Sequence, residues 1–161
     1  MSLPEPHPEV VRALEAAGVP FTLRRHAGVP GPVRSPADFA AALGYAPERI
    51  AKTLLVRCAG GGALALVVAP APARVDLKAA AARLGCARVE LAPRELLAER
   101  LGYPPTGVSP FGARGLPVLV DASLLEHPTV VVGGGAAAVE VEVAPGDLVA
   151  ATGAEALALA R

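Results

Sequence analysis

Lysine is the rarest cation of this chain: of 15 basic residues 13 are arginine, so Lys52 and Lys78 alone carry an ammonium group. Arginine supplies the ordinary surface charge, which makes a retained lysine a candidate for a place that needs a compact point charge. Lys52 stands at the head of the apolar run KTLLVR, where a solvated strand end is the other reading; Lys78, in DLK, reads as a solvated residue behind a helix cap. A second candidate is TGVSPFG, Thr106 to Gly112, whose backbone N–H groups at Gly107, Val108 and Ser109 can form a nest for a carbonyl oxygen or a phosphate, with Pro110 fixing the turn. A plain structural turn is the alternative. In VEVEV, strand alternation puts Glu140 and Glu142 on one face and three valines on the other, the pattern of a half-exposed strand. His26 is an isolated histidine at a strand end, with a surface position as its default.

Other chemistries find no support. His7, His26 and His127 fit no HExxH spacing, and two cysteines make no metal cage. No GxSxG elbow is present. Gly133-Gly134-Gly135 follows a strand but leads into VEVEV rather than a helix, so a dinucleotide loop fails on context. Neither glycine run continues as a Walker A motif. The 15 basic and 15 acidic residues balance, which argues against a protein that coats nucleic acid. The balance hides an asymmetry: residues 1–120 hold 14 Lys or Arg against 9 Asp or Glu, whereas residues 121–161 hold one Arg against six acids. Such a chain can touch a few phosphates but not hold a long duplex, so DNA is not an expected partner.

The elements that must position these residues are legible in outline. At 161 residues one domain spanning 1–161 is expected, with room for a real core. EVVRALEAA has helical spacing and stops at Gly18; Ser35-Pro36 opens a helix that stops at Gly44; Asp76 caps one ending at Gly85; Pro93 opens one ending at Gly102. Strands are expected at 20–25, 52–57, 63–69, 87–90, 117–120, 129–132 and 139–143, with a hairpin at Gly60-Gly61-Gly62 and a last helix near 146–152. The stretch from Gly102 to Gly115 is too rich in Gly and Pro for either and reads as an ordered or gated loop. Without a strict βαβ rhythm, this predicts a mixed α+β domain with a curved, largely antiparallel sheet flanked by helices. Cys58 and Cys86 lie beside apolar runs and read as buried core thiols of a reducing, cytoplasmic compartment. No apolar run reaches the roughly 18 residues of a membrane helix, and Met1 to Pro8 lacks a secretory pattern, so a soluble protein is expected.

Three blocks taken together, SPADFAAALGYAPERIAKTLLVR from Ser35, GYPPTGVSPFG from Gly102 and VVVGGGAAAVEVEVAPGDL from Val130, resemble in order and spacing the YbaK/ProX-type aminoacyl-tRNA deacylases, the prolyl-tRNA editing-domain family. The resemblance runs from the VPFTL strand at Val19 to the final helix. It implies hydrolysis, without metal or cofactor, of the ester between a wrongly attached amino acid and the terminal ribose of tRNA, Cys-tRNA(Pro) or Ala-tRNA(Pro) above all. The implied partners are the acceptor end of the mischarged tRNA and a prolyl-tRNA synthetase. Lys52 matches the family's essential lysine, and Gly107, Val108, Ser109 and Pro110 match its glycine-to-proline loop. His26 falls where the best-known branch has a tyrosine near the pocket, and Glu140 where it often has an acidic or small polar residue. Thr53, Gly133 and Gly134 complete the implied substrate-binding set. Thr106 stands where the loop usually begins with a second glycine, and Ala136-Ala137 replace a basic pair. These departures keep open a catalytically weak or inactive module that binds a nucleotide, an acceptor end or a synthetase.

Overall fold

The helix boundaries follow from local chemistry. Ser35 Oγ accepts the Asp38 N–H at the start of α2 (Pro36–Leu43), and Asp76 accepts the Lys78 and Ala79 N–H groups at the start of α3 (Leu77–Leu84). The helix α1 (Pro8–Ala17) ends at Gly18, which, like Gly44 and Gly85, takes the left-handed conformation that lets the chain leave a helix cheaply. The expected helix from Pro93 to Leu101 is a short turn, α4 (Arg94–Leu96), continued by a π-helical turn, Leu97–Leu101. The last helix, α5, is Pro145–Thr152. This computed structural model describes residues 3–113 and 115–161; Arg114, in the loop read as Gly102–Gly115, lies outside the described residues. No described helix is long and apolar enough to cross a membrane.

The strands are β1 (Thr22–Arg25), β2 (Ala51–Cys58), β3 (Leu64–Pro70), β4 (Val89–Leu91), β5 (Val118–Asp121), β6 (Val130–Ala136), β7 (Val139–Val143) and β8 (Glu155–Leu157). They form two sheets rather than one: a five-stranded sheet ordered β4-β2-β3-β5-β8 and a three-stranded sheet ordered β1-β7-β6. An isolated bridge from Ile50 to Val131 links them. The architecture is mixed α+β, as expected, and four of the six strand pairs are antiparallel; β5 runs parallel to both β3 and β8. Every residue of β3 is buried, which explains why LALVVAP reads as an unbroken apolar run: it is a central strand covered on both faces.

The largest core cluster, including Leu14, Leu66, Phe111, Val132 and Leu148, brings the two sheets together with α1 and α5. A second, with Val56, Ala80, Leu119 and Leu159, lies under α3, and a third joins Phe39 of α2 to Ile50 and Val131. Burial of these side chains at roughly 25 cal/mol per Å² of apolar surface is the main force holding the sheets in register. Tyr103 is buried in the first cluster and its hydroxyl donates to the Phe111 carbonyl, which ties down the Gly/Pro-rich loop.

Three expectations need correction. Cys58 and Cys86 are not separate buried thiols: their Cα atoms lie 5.7 Å apart and they form a disulfide. The pairing follows from the sheet, because β4 runs beside the end of β2 with Val89 opposite Cys58. Second, β6 does not end at Val132 but continues through the glycine run to Ala136, with a bulge between Gly133 and Ala136. At Gly133 another backbone crosses the strand. A methyl group at Gly133 would lie 2.1 Å from the Val108 carbonyl oxygen, and one at Gly107 would lie 2.3 Å from that of Ala136. Third, β8 was not expected.

Because this crossing leaves no room for a Cβ, Gly133→Ala should destabilise the protein by about 1–3 kcal/mol through overpacking. Gly28→Ala, where an added Cβ meets nothing within 4 Å, is the control. Urea unfolding of both variants checks this: a lower midpoint is expected for Gly133→Ala alone.

Candidate functional site

The crossing of the loop over β6 walls one side of a cavity of about 420 Å³. β2 supplies Lys52, Thr53 and Leu54; β7 supplies Glu140; β6 supplies Gly133; the turn after β1 supplies His26. Pro105, Thr106 and Val108 come from the loop, and Ser35, Pro36 and Phe39 from the start of α2. Residues separated by more than a hundred positions thus meet because β7 pairs with β1 on one side and β6 on the other, with Glu140 opposite both Arg24 and Gly133.

Lys52 is half-buried, and its Nζ donates to the Ala73 carbonyl in the segment after β3. An ammonium has three donors, so this bond anchors the group while leaving capacity for an anion. Thr53 is 7% exposed, and its Oγ1 is the one buried side-chain polar atom among the described residues without a hydrogen-bond partner. Such an orphan at a cavity wall is where a ligand's polar group is expected. His26 packs its ring 4.7 Å from that of Phe39, and burial lowers its pKa, favouring the neutral imidazole.

The two carboxylates of VEVEV have opposite fates. Glu140 faces the cavity with no ion-pair partner among the described residues, and burial pushes its pKa up to about 7. Glu142 is not half-exposed, as the alternation predicts, but 7% exposed. It accepts from Arg24 Nε at 2.6 Å, from the Tyr45 hydroxyl at 2.7 Å and from the Thr129 hydroxyl, with Arg49 at 3.5 Å. Burial alone would raise its pKa, but the hydrogen bonds from Thr129, Tyr45 and Arg24, with the charge of Arg24, hold it below the ordinary value. Sequence reasoning missed this cluster, since its members come from β1, the turn before β2, the start of β6 and β7.

Of the expected site residues, the fold brings His26, Lys52, Thr53, Val108, Gly133 and Glu140 to one cavity. Gly107, Ser109, Pro110 and Gly134 are not on its wall. The Gly107 N–H is already committed to the Pro104 carbonyl at 3.0 Å, so it is no donor for a bound carbonyl. Ser109 is fully buried, and its hydroxyl accepts from the Phe111 N–H, a turn-forming bond. Pro110 is buried behind it. Gly134 has a structural reason: a Cβ there would lie 2.8 Å from the Val139 carbonyl oxygen, and its own carbonyl accepts from His7 N–H. The loop therefore meets the cavity through Pro105, Thr106 and Val108.

A half-buried ammonium, a carboxyl whose pKa burial raises to about 7 and a Gly/Pro loop thus meet around one cleft. The model of the aminoacyl-tRNA editing domain matches residues 30–151, so the chain belongs to that family. Two solved structures agree along almost the full length. One, described as a "putative trans-editing enzyme for prolyl tRNA synthetase", is 28% identical with a TM-score of 0.82, covering 96% of this chain and 98% of its own. The other, hypothetical protein APE2540, is 31% identical with a TM-score of 0.83, covering 95% and 99%.

The contrast between the carboxylates has a measurable sign. Glu140 has a higher pKa folded than unfolded, so its favourable contribution is present at low pH and lost as the pH rises from the ordinary carboxylate range through about 7. Glu140→Gln should therefore melt above the wild type at pH 8 and alongside it near pH 4. Glu142 has a lower pKa folded, so its contribution is present above the unfolded value and lost on acidification. Glu142→Gln should be less stable by about 2 kcal/mol at pH 8, with the difference shrinking at low pH. Thermal melts of both variants across this range check the two signs.

Proposed function

We propose that this protein is a trans-acting aminoacyl-tRNA deacylase that hydrolyses the ester of mischarged tRNA, with Cys-tRNA(Pro) or Ala-tRNA(Pro) as substrate. The observation that carries the reading is that Lys52 and Val108, the rare ammonium and a residue of the Gly-Pro loop, line the same cavity of about 420 Å³. Membership of the editing-domain family supports the substrate class. The small cavity, walled in part by Phe39, Pro36 and Ile50, supports a short side chain such as that of cysteine or alanine. KTL, moreover, is closer to the cysteinyl-tRNA(Pro) branch.

In the proposed reaction the Val108 N–H donates to the ester carbonyl oxygen, and Lys52 sets its positive charge against the oxyanion that develops there or against the adjoining ribose-phosphate. Water attacks the carbonyl carbon, the bond from that carbon to the ribose oxygen breaks, and a proton from the attacking water ends on the leaving oxygen. The products are the free amino acid and a tRNA with its terminal hydroxyl restored. This sequence uses no protein nucleophile and no metal. Glu140, once ionised, attracts the α-ammonium group of the amino acid, and Thr53 Oγ1 gains the partner it otherwise lacks. The partners proposed are the acceptor end of mischarged tRNA and a prolyl-tRNA synthetase in the cytoplasm. Thr106 and Ala136-Ala137 favour a second reading, an editing fold that binds without turnover.

The test is a panel of mischarged tRNAs, led by Cys-tRNA(Pro) and Ala-tRNA(Pro), incubated with the wild type and with Lys52→Ala. Loss of one well-placed charge commonly costs about 10²–10³ in rate, so the variant should be nearly inactive with an unchanged melting curve. A fully active Lys52→Ala overturns the assignment; tight binding of the acceptor end without hydrolysis by the wild type selects the second reading.

A further inference from the structure

Behind Lys52 lies a second cavity of about 490 Å³ that shares Lys52 and Leu54 with the first and adds Arg74, Leu77, Leu91 and Arg161. Its basic rim is held by the Asp121 carboxylate and by main-chain bonds. Asp121 Oδ1 accepts from the Leu159 and Ala160 N–H groups at 2.8 Å, Val75 bridges to Ala160, and the Arg161 N–H donates to the Arg74 carbonyl at 2.8 Å. Two arginines are thereby set side by side. Like Arg34, Arg88 and Arg94, they form no ion pair with an Asp or Glu side chain among the described residues, and these two line one cavity together. Two guanidinium groups at one groove favour an anion seated between them. The floor is apolar: Leu54 and Leu77 are half-buried, and Leu91, at 57% exposed, is among the few large hydrophobic side chains left in solvent. A single nucleic-acid strand can meet both features, its phosphates on the cations and the apolar face of a base against the leucines.

We propose that this second cavity binds the single-stranded RNA immediately 5′ of the terminal nucleotide, with Arg74 and Arg161 on its phosphates and a base on Leu54, Leu77 and Leu91. The identity of the strand rests on the deacylase reading; the groove's chemistry does not. Lys52 joins the two sites, since its ammonium bonds the carbonyl of Ala73, the residue before Arg74. A strand in the groove is thereby led past Lys52 into the first cavity.

The test uses an Arg74→Ala/Arg161→Ala double variant, both side chains being exposed and outside the proposed chemistry. Fluorescence anisotropy with a labelled CCA oligoribonucleotide should show at least fivefold weaker binding at low salt. Its log-affinity against log-salt slope should be shallower by about 1.4, for two lost phosphate contacts at about 0.7 each. Arg74→Lys/Arg161→Lys should restore most of the affinity. In hydrolysis the double variant should raise KM for aminoacyl-tRNA with kcat preserved, and leave an aminoacyl ester of adenosine, which has no preceding nucleotide, unaffected. Unchanged oligonucleotide binding, or an equal loss on both substrates, overturns the groove. If the wild type hydrolyses no aminoacyl-tRNA while the double variant still loses the oligonucleotide, the deacylase reading falls and the groove stands.

Discussion

Main chain lies directly on main chain where the loop around Gly107 and Val108 crosses the end of β6. A Cβ at Gly107 or Gly133 would overlap a carbonyl oxygen of the opposing strand, at 2.3 and 2.1 Å. No side chain can mediate such an approach, so the position of the loop is set by glycine on both partners rather than by interdigitated side chains. The rest of the site follows. Val108 and Thr106 are delivered to the cavity mouth, β6 is kept bulged at Gly133, and β7 holds Glu140 facing β2 across the gap. Tyr103 fastens the loop's other arm through its bond to Phe111. Between these two fastenings Gly107, Ser109, Pro110 and Phe111 are buried.

Two carboxylates two residues apart on one strand show how neighbourhood, not strand position, decides electrostatic behaviour. Glu142 meets two arginines and two hydroxyls and is kept ionised, joining β1, β7 and the approaches to β2 and β6. Glu140 has no ion-pair partner among the described residues, and burial raises its pKa to about 7. The first is a structural anchor bracing the three-stranded sheet. The second keeps its binding capacity because nothing in the fold consumes it. The same distinction separates the satisfied Ser109 hydroxyl from that of Thr53.

Much of the frame was legible in the residues. Caps and glycine stops gave α1, α2 and α3 nearly to the residue, because these signals act within one turn of chain. The alternation of VEVEV gave β7, and the apolar run gave β3. What escaped was non-local. β8, three residues without alternation, is a strand only because β5 offers it an edge. β6 extends through three glycines because the crossing loop leaves no room for a Cβ at Gly133, the β7 backbone none at Gly134 and the His7 and Tyr103 side chains none at Gly135, whereas a glycine run by itself reads as a turn. Cys58 and Cys86 pair because β4 lies beside β2.

At the site, the sequence by itself determined the reactive inventory: a rare lysine at a strand head, a Gly-Pro loop, two alternating glutamates, and three blocks whose order resembles one family. Only the tertiary structure decided which of these meet. It brought Lys52, Thr53, His26 and Glu140 to a single cavity, turned Ser109 and Pro110 into the loop's own support, and spent the Gly107 amide on Pro104. The reason is physical: residue type fixes what a group can donate, accept or ionise. Whether it remains available depends on which distant strand or loop packs against it, and that is set by sheet order and by close backbone contact.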